Sequence, residues 1–194
     1  NATFDTCIAG KNGGGVQSNA LRVHCADVDM NDCSAGARGG GLYHKNQLVN
    51  STTEICDSSF TYCVADTDGG GVATLAKVAS IVTYGEQESE LAFCSAKCGG
   101  AFWDAGADVS FVNVLVSDCV ASSRGGGLYH AGGNGSDMSL SGCSVLNCSA
   151  GIGGAGIWFG GTGEIGFSFG SEVSGNSLSG ESSEAAGVHV VNDE

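Results

Sequence analysis

The feature that most constrains this chain is a small-residue triplet followed by an apolar residue, repeated along the whole sequence. It occurs as Gly13-Gly14-Gly15-Val16, Gly39-Gly40-Gly41-Leu42, Gly69-Gly70-Gly71-Val72, Gly99-Gly100-Ala101-Phe102, Gly125-Gly126-Gly127-Leu128, Gly154-Ala155-Gly156-Ile157 and Ala185-Ala186-Gly187-Val188. The triplets thus begin at Gly13, Gly39, Gly69, Gly99, Gly125, Gly154 and Ala185, a nearly even spacing. A cysteine precedes six of them (Cys7, Cys33, Cys63, Cys94, Cys119, Cys148), and in the seventh unit Ser179 takes its place. Two residues beyond each cysteine lies an alanine (Ala9, Ala35, Ala65, Ala96, Ala121, Ala150). Three residues before it lies a large apolar side chain (Phe4, Met30, Phe60, Leu91, Val116, Val145). Four columns agreeing at a period of about 29 residues mark a solenoid, in which each repeat packs on its neighbours.

The residues inside the unit decide which solenoid. The leucine and asparagine framework of leucine-rich repeats is missing, and units rich in Gly, Ser, Thr, Val and Asp lack the ten-residue helical stretches of helical repeats. Short alternating runs such as Ser110–Val116 and Ser80–Tyr84 read as strands between Gly, Asn, Asp and Ser turns. Three short strands with three turns fill one such unit, so the expectation is a right-handed parallel β-helix of about seven coils, one domain over 1–194 or part of a longer solenoid. Stacking at about 4.8 Å turns every column into a ladder. The triplet supplies sharp corners and lets successive backbones lie close.

At 34 glycines and no proline the chain would suggest disorder, but 42% apolar residues give it a core to bury. Its net charge of −14 makes nucleic acid and direct membrane insertion poor expectations. No apolar run approaches the length that a membrane-spanning helix needs. Ten cysteines point to an oxidising compartment, hence to an extracellular or cell-surface location. Sequons at Asn1, Asn50, Asn134 and Asn147 would be glycosylation sites there in a eukaryotic secretory pathway.

The unit Phe-x-x-Cys-x-Ala, followed by Gly-Gly-Gly/Ala and an aliphatic residue, resembles the repeat of the polymorphic outer membrane proteins, with cysteine where that family has asparagine. The likeness runs from Phe4 to about Phe159. It implies a right-handed β-helix acting as a surface adhesin.

For an enzyme on this scaffold, such as a polysaccharide lyase or glycoside hydrolase, acid pairs on neighbouring coils would serve as acid and base. The candidates are Asp66 with Asp68, Asp27 with Asp29 and Asp104 with Asp108, yet the seven basic residues do not cluster beside them. Arg38 and Arg124 hold equivalent places three coils apart, as do His44 and His130, each ending Gly-Gly-Gly-Leu-Tyr-His. No zinc-finger spacing exists, and the Gly-Gly-x-Gly-x-Asp repeat of calcium-binding β-rolls is missing, so no cofactor is expected, with calcium in Asp-rich turns the one candidate.

One column does suggest binding. Tyr43, Trp103, Tyr129 and Trp158 follow the triplets by two positions, where strand alternation sends them outward as an exposed aromatic stripe for glycans or a neighbouring subunit. The cysteine ladder is read either as a buried thiol stack or as disulfides pairing Cys7 with Cys33, Cys63 with Cys94 and Cys119 with Cys148. Cys25 and Cys56 would bridge a second column, and Cys98 and Cys143 have no evident mates. In the last unit Asn176 and Glu181 fall in the apolar and alanine columns. A structural or adhesive protein is therefore expected rather than an enzyme, with itself, head to tail, or neighbouring coat proteins as partners.

Overall fold

Apolar residues spaced to face one side of short strands bury that side only if the strands close around it, and repetition at a fixed period closes them as a coil. The computed structural model describes residues 2–85, 89–132, 135–180 and 184–191, and it is all β: a parallel solenoid with no helix among those residues. Each turn has four strands rather than three. The first turn sets them out as Ala2–Asp5, Ile8–Ala9, Val16–Ser18 and Arg22–Ala26, which begin faces one to four. Faces one to three carry seven strands and face four carries six, so six complete rungs are followed by a seventh of three strands.

The extra strand comes from a corner that lacks a glycine signal. Immediately before each ladder cysteine the backbone turns left-handed, at Thr6, Asp32, Tyr62, Phe93, Asp118 and Asn147, with φ between 50° and 54°. This bend splits one expected strand into faces one and two. The corner between faces two and three uses the first triplet glycine, as at Gly69 with φ 62°.

Inside, the apolar column of face one (Met30, Phe60, Leu91, Val116, Val145) packs against that of face three (Leu42, Val72, Phe102, Leu128, Ile157) and that of face four (Ile55, Ile81, Phe111, Leu140). All are nearly or fully buried, each contributing about 1.5–3 kcal/mol. Register corrects the last unit. Val145 pairs with Val173, Ser149 with Ser177 and Ala150 with Leu178. Val173, Asn176 and Leu178 therefore hold the apolar, cysteine and alanine columns, in place of Asn176, Ser179 and Glu181. The glycine of this unit's corner, Gly175, is left-handed like the residue before every ladder cysteine.

Candidate functional site

The third residue of each face-three strand points inward, and six rungs place there Ser18, His44, Thr74, Asp104, His130 and Phe159. A polar column inside an apolar core must be fully hydrogen-bonded, and here the side chain matches the length of the corner that follows. Where three residues lead to face four, the side chain is short and accepts an amide two residues on. Ala20 N–H donates to Ser18 Oγ (3.1 Å), Ala76 N–H to Thr74 Oγ1 (3.0 Å) and Gly106 N–H to Asp104 Oδ1 (2.7 Å). Where seven residues lead there, after His44 and His130, an imidazole fills the space beneath the longer loop. His44 Nδ1 meets Thr53 Oγ1 at 2.7 Å and His44 Nε2 meets the Ala20 carbonyl at 2.8 Å. The repeated Gly-Gly-Gly-Leu-Tyr-His marked both long corners in the sequence.

The second imidazole sits in a fuller network. His130 Nδ1–H donates to Asp104 Oδ2 at 2.9 Å, and Ala107 N–H adds a second amide on Oδ1 at 2.9 Å. In the neutral tautomer this leaves His130 Nε2 to accept from Ser136 Oγ at 3.1 Å. The ring stacks on Phe159, centroids 4.6 Å apart. His130 and Asp104 are fully buried, while Ser136 borders a depression of about 580 Å³ lined also by Val49, Lys77, Val78 and Asp108. The hydrogen-bond order is that of a Ser-His-Asp relay. Sequence reasoning missed it by pairing Asp104 with Asp108, which the three-residue corner between their strands turns apart: Asp104 points inward, while Asp108 is exposed at the start of its strand and accepts from Asp137 N–H. The other acid pairs do not converge either. Asp68 binds Arg38 Nε at 2.8 Å, and Asp29 accepts from Ser59 Oγ.

The six ladder cysteines line one corner, and all but Cys7 are buried. They stand as free thiols, not joined in the expected pairs. Each of the buried ones turns Sγ–H to backbone carbonyls, as Cys94 does to Phe60 (3.3 Å) and Ala92 (3.3 Å). Burial pushes the Cys33 thiol up to about 12 and raises Cys94 as well. The Cys25–Cys56 bridge is ruled out by register. Cys25 pairs with Ile55 and Ala26 with Cys56, so Cys56 stands one position past the partner of Cys25, and the two thiols leave opposite sides of the sheet. Thiol counting is expected to give ten reactive groups in denaturant, and in the native protein no reaction at the buried ladder thiols Cys33, Cys63, Cys94, Cys119 and Cys148; fewer than ten in denaturant would show that thiols are oxidised.

The aromatic stripe is not exposed. Tyr43, Trp103 and Trp158 are buried and Tyr129 is half-buried, because the residues before the triplets fold back over them. Arg38 lies 5.1 Å from the Trp103 ring, Arg124 lies 5.7 Å from that of Trp158, and Tyr129 stacks on Trp158 at 4.4 Å. The exposed aromatic pair is instead Tyr62 and Phe93, stacked at 4.9 Å on consecutive rungs at the left-handed corner. Burial pushes the Tyr129 phenol up to about 12. The unfolded chain ionises near 10, so stability should fall as pH rises from about 10 to 12. A Tyr129→Phe variant should lose part of that alkaline slope in thermal melts; an unchanged slope would contradict the assignment.

Asn50 is exposed on the seven-residue loop after His44, and Asn147 is exposed beside the buried Cys148. Asn1 and Asn134 lie outside the described residues. Compared with family models, with characterised proteins and with solved structures, the chain finds no match.

Proposed function

We propose that this protein is an extracellular structural or adhesive element of a filament or coat, a solenoid lengthened by stacking rungs end to end. The observation that carries the reading is the rung itself: every inner column repeats in register from one rung to the next, so that a rung of one copy has the spacing to continue the ladders of another. The Tyr62–Phe93 pair supplies a platform on which a sugar ring would stack. Copies carrying −14 repel one another, so association should strengthen as salt screens them. Sedimentation at rising concentration and salt tests this. Growing species that Val173→Lys abolishes are expected, and a concentration-independent monomer would refute it.

The repeat itself we read as a variant of the polymorphic outer membrane protein unit. Asn176 supports this, standing in the cysteine column where that family has asparagine. It accepts from Cys148 N–H at 2.8 Å and donates Nδ2–H to the Val145 carbonyl at 3.1 Å. Cys94 and Cys119 make the corresponding bond to the rung before, at 3.3 and 3.4 Å. An exported glycoprotein should carry a glycan at Asn50: intact mass should fall on enzymatic deglycosylation, and by one glycan in Asn50→Gln. An unchanged mass would remove the glycan.

A second reading, a serine esterase, rests on the Ser136–His130–Asp104 order beside the depression, an arrangement suited to acyl transfer. A fluorophosphonate probe that labels the native protein but not Ser136→Ala would support it, and absence of labelling would exclude it.

A further inference from the structure

Face four carries a cluster that neither the ladder nor the corner network uses. His24 and Glu54 are register partners on adjacent strands, Arg22–Ala26 and Thr52–Cys56. Because side chains alternate along a strand, Glu54 and Cys56 emerge on the same outer side, and His24 stands directly beside Glu54. His24 Nδ1 lies 3.1 Å from Glu54 Oε2. The imidazole nitrogen, the carboxylate oxygen and Cys56 Sγ all lie within 4.8 Å of one another.

We propose that His24, Glu54 and Cys56 form a surface site for a divalent transition ion of the zinc class, with water as the fourth ligand. Bonds of about 2.0–2.3 Å in a tetrahedral site set ligand atoms roughly 3.3–3.8 Å apart. His24 Nδ1 and Glu54 Oε2 at 3.1 Å stand just short of that range and the buried Cys56 Sγ lies within 4.8 Å of both, so side-chain rotations of the half-exposed His24 and Glu54 would bring the three donors to it. The donor set selects the ion. One imidazole, one carboxylate and one thiolate suit zinc or cobalt, whereas calcium and magnesium take oxygen ligands.

The surroundings fit a bound cation. Glu54 is bordered on the next strand by Ser80, and Cys56 by Ala26 and Val82 on its two sides; the nearby cation, Arg22, lies two residues before His24 on the same outer side and is paired with Thr52 rather than with a donor. The carboxylate of neighbouring Asp57 is taken by the Tyr84 and Gly85 amides at 2.8 and 2.9 Å and does not compete. Two features keep the site open. His24 and Glu54 retain 58% and 47% of their side-chain exposure, and a hollow of about 490 Å³ lined by Arg22, Thr52 and Ser80 adjoins them. The ion would replace the bare His24–Glu54 contact by bonds to both, with the Cys56 proton released to solvent.

Cobalt(II) titration of the full chain under reducing conditions tests the site. One equivalent should bind with the intense visible bands of tetrahedral cobalt and the near-ultraviolet band of a cobalt–thiolate bond, and zinc should displace it. Cys56→Ser should remove the thiolate band and His24→Ala should abolish saturable binding, while Cys98→Ser changes neither. Thermal melts of the metal-free variants check that they fold, and zinc should raise the melting temperature of the parent but not of Cys56→Ser. Failure to bind one equivalent, or binding that survives both substitutions, would overturn the proposal.

Discussion

Replacing Gly70 by alanine is expected to destabilise the solenoid by at least about 3 kcal/mol, because the added carbon has nowhere to go. A Cβ there would stand 2.3 Å from the Gly100 carbonyl oxygen and 2.6 Å from the Ser95 amide nitrogen, both of them backbone atoms of the next rung. No rotamer relieves a clash between main chains that share a ladder. The same position holds Ala155 in the sixth rung, and the unit that follows has more residues at this corner: positions 179–187 separate Leu178 from Val188, where only 151–156 separate Ala150 from Ile157. Alanine should therefore be tolerated beside the last rung and rejected in the middle of the stack. Urea unfolding of Gly70→Ala beside Ala155→Gly measures this; a loss under about 1 kcal/mol at Gly70 would show that rungs are less tightly stacked than described.

His130→Ala should cost about 3–5 kcal/mol, since it strands the Asp104 carboxylate in a fully buried site with only the corner amides left to it. The paired prediction separates charge from packing. Asp104→Asn keeps an acceptor for Gly106 and Ala107, so the double variant His130→Ala/Asp104→Asn should recover a large part of the loss. His44→Ala, whose partners are Thr53 and a carbonyl, should cost less than His130→Ala. Equal losses at the two histidines would contradict a special dependence of the Asp104 carboxylate on the His130 hydrogen bond.

The solenoid was legible because its core repeats in register: Phe4, Met30, Phe60, Leu91, Val116 and Val145 recur three residues before the cysteine and stack as one column. The fourth face was not. A left-handed corner normally shows itself through glycine or asparagine, whereas Thr6, Tyr62 and Phe93 adopt it because the ladders on either side hold them there. Alternation along face three placed Trp103 and Trp158 on the outside correctly, but no period in the sequence records that Arg38 and Arg124 fold back over them. For Cys25 and Cys56 the error was a single position of spacing, and in a strand one position is the difference between one side of the sheet and the other. The metal cluster escaped notice for the converse reason. His24 and Glu54 are separated by one whole rung, and only the register of face four reveals that they touch.

The central claim is that rungs continue from one copy to the next. Electron microscopy of the purified chain, concentrated at moderate salt, tests it most directly. Seven rungs at about 4.8 Å predict unbranched filaments of single-solenoid width with an axial repeat of about 34 Å. Discrete particles one chain in length at every concentration, or filaments whose repeat is unrelated to the rung spacing, would contradict it.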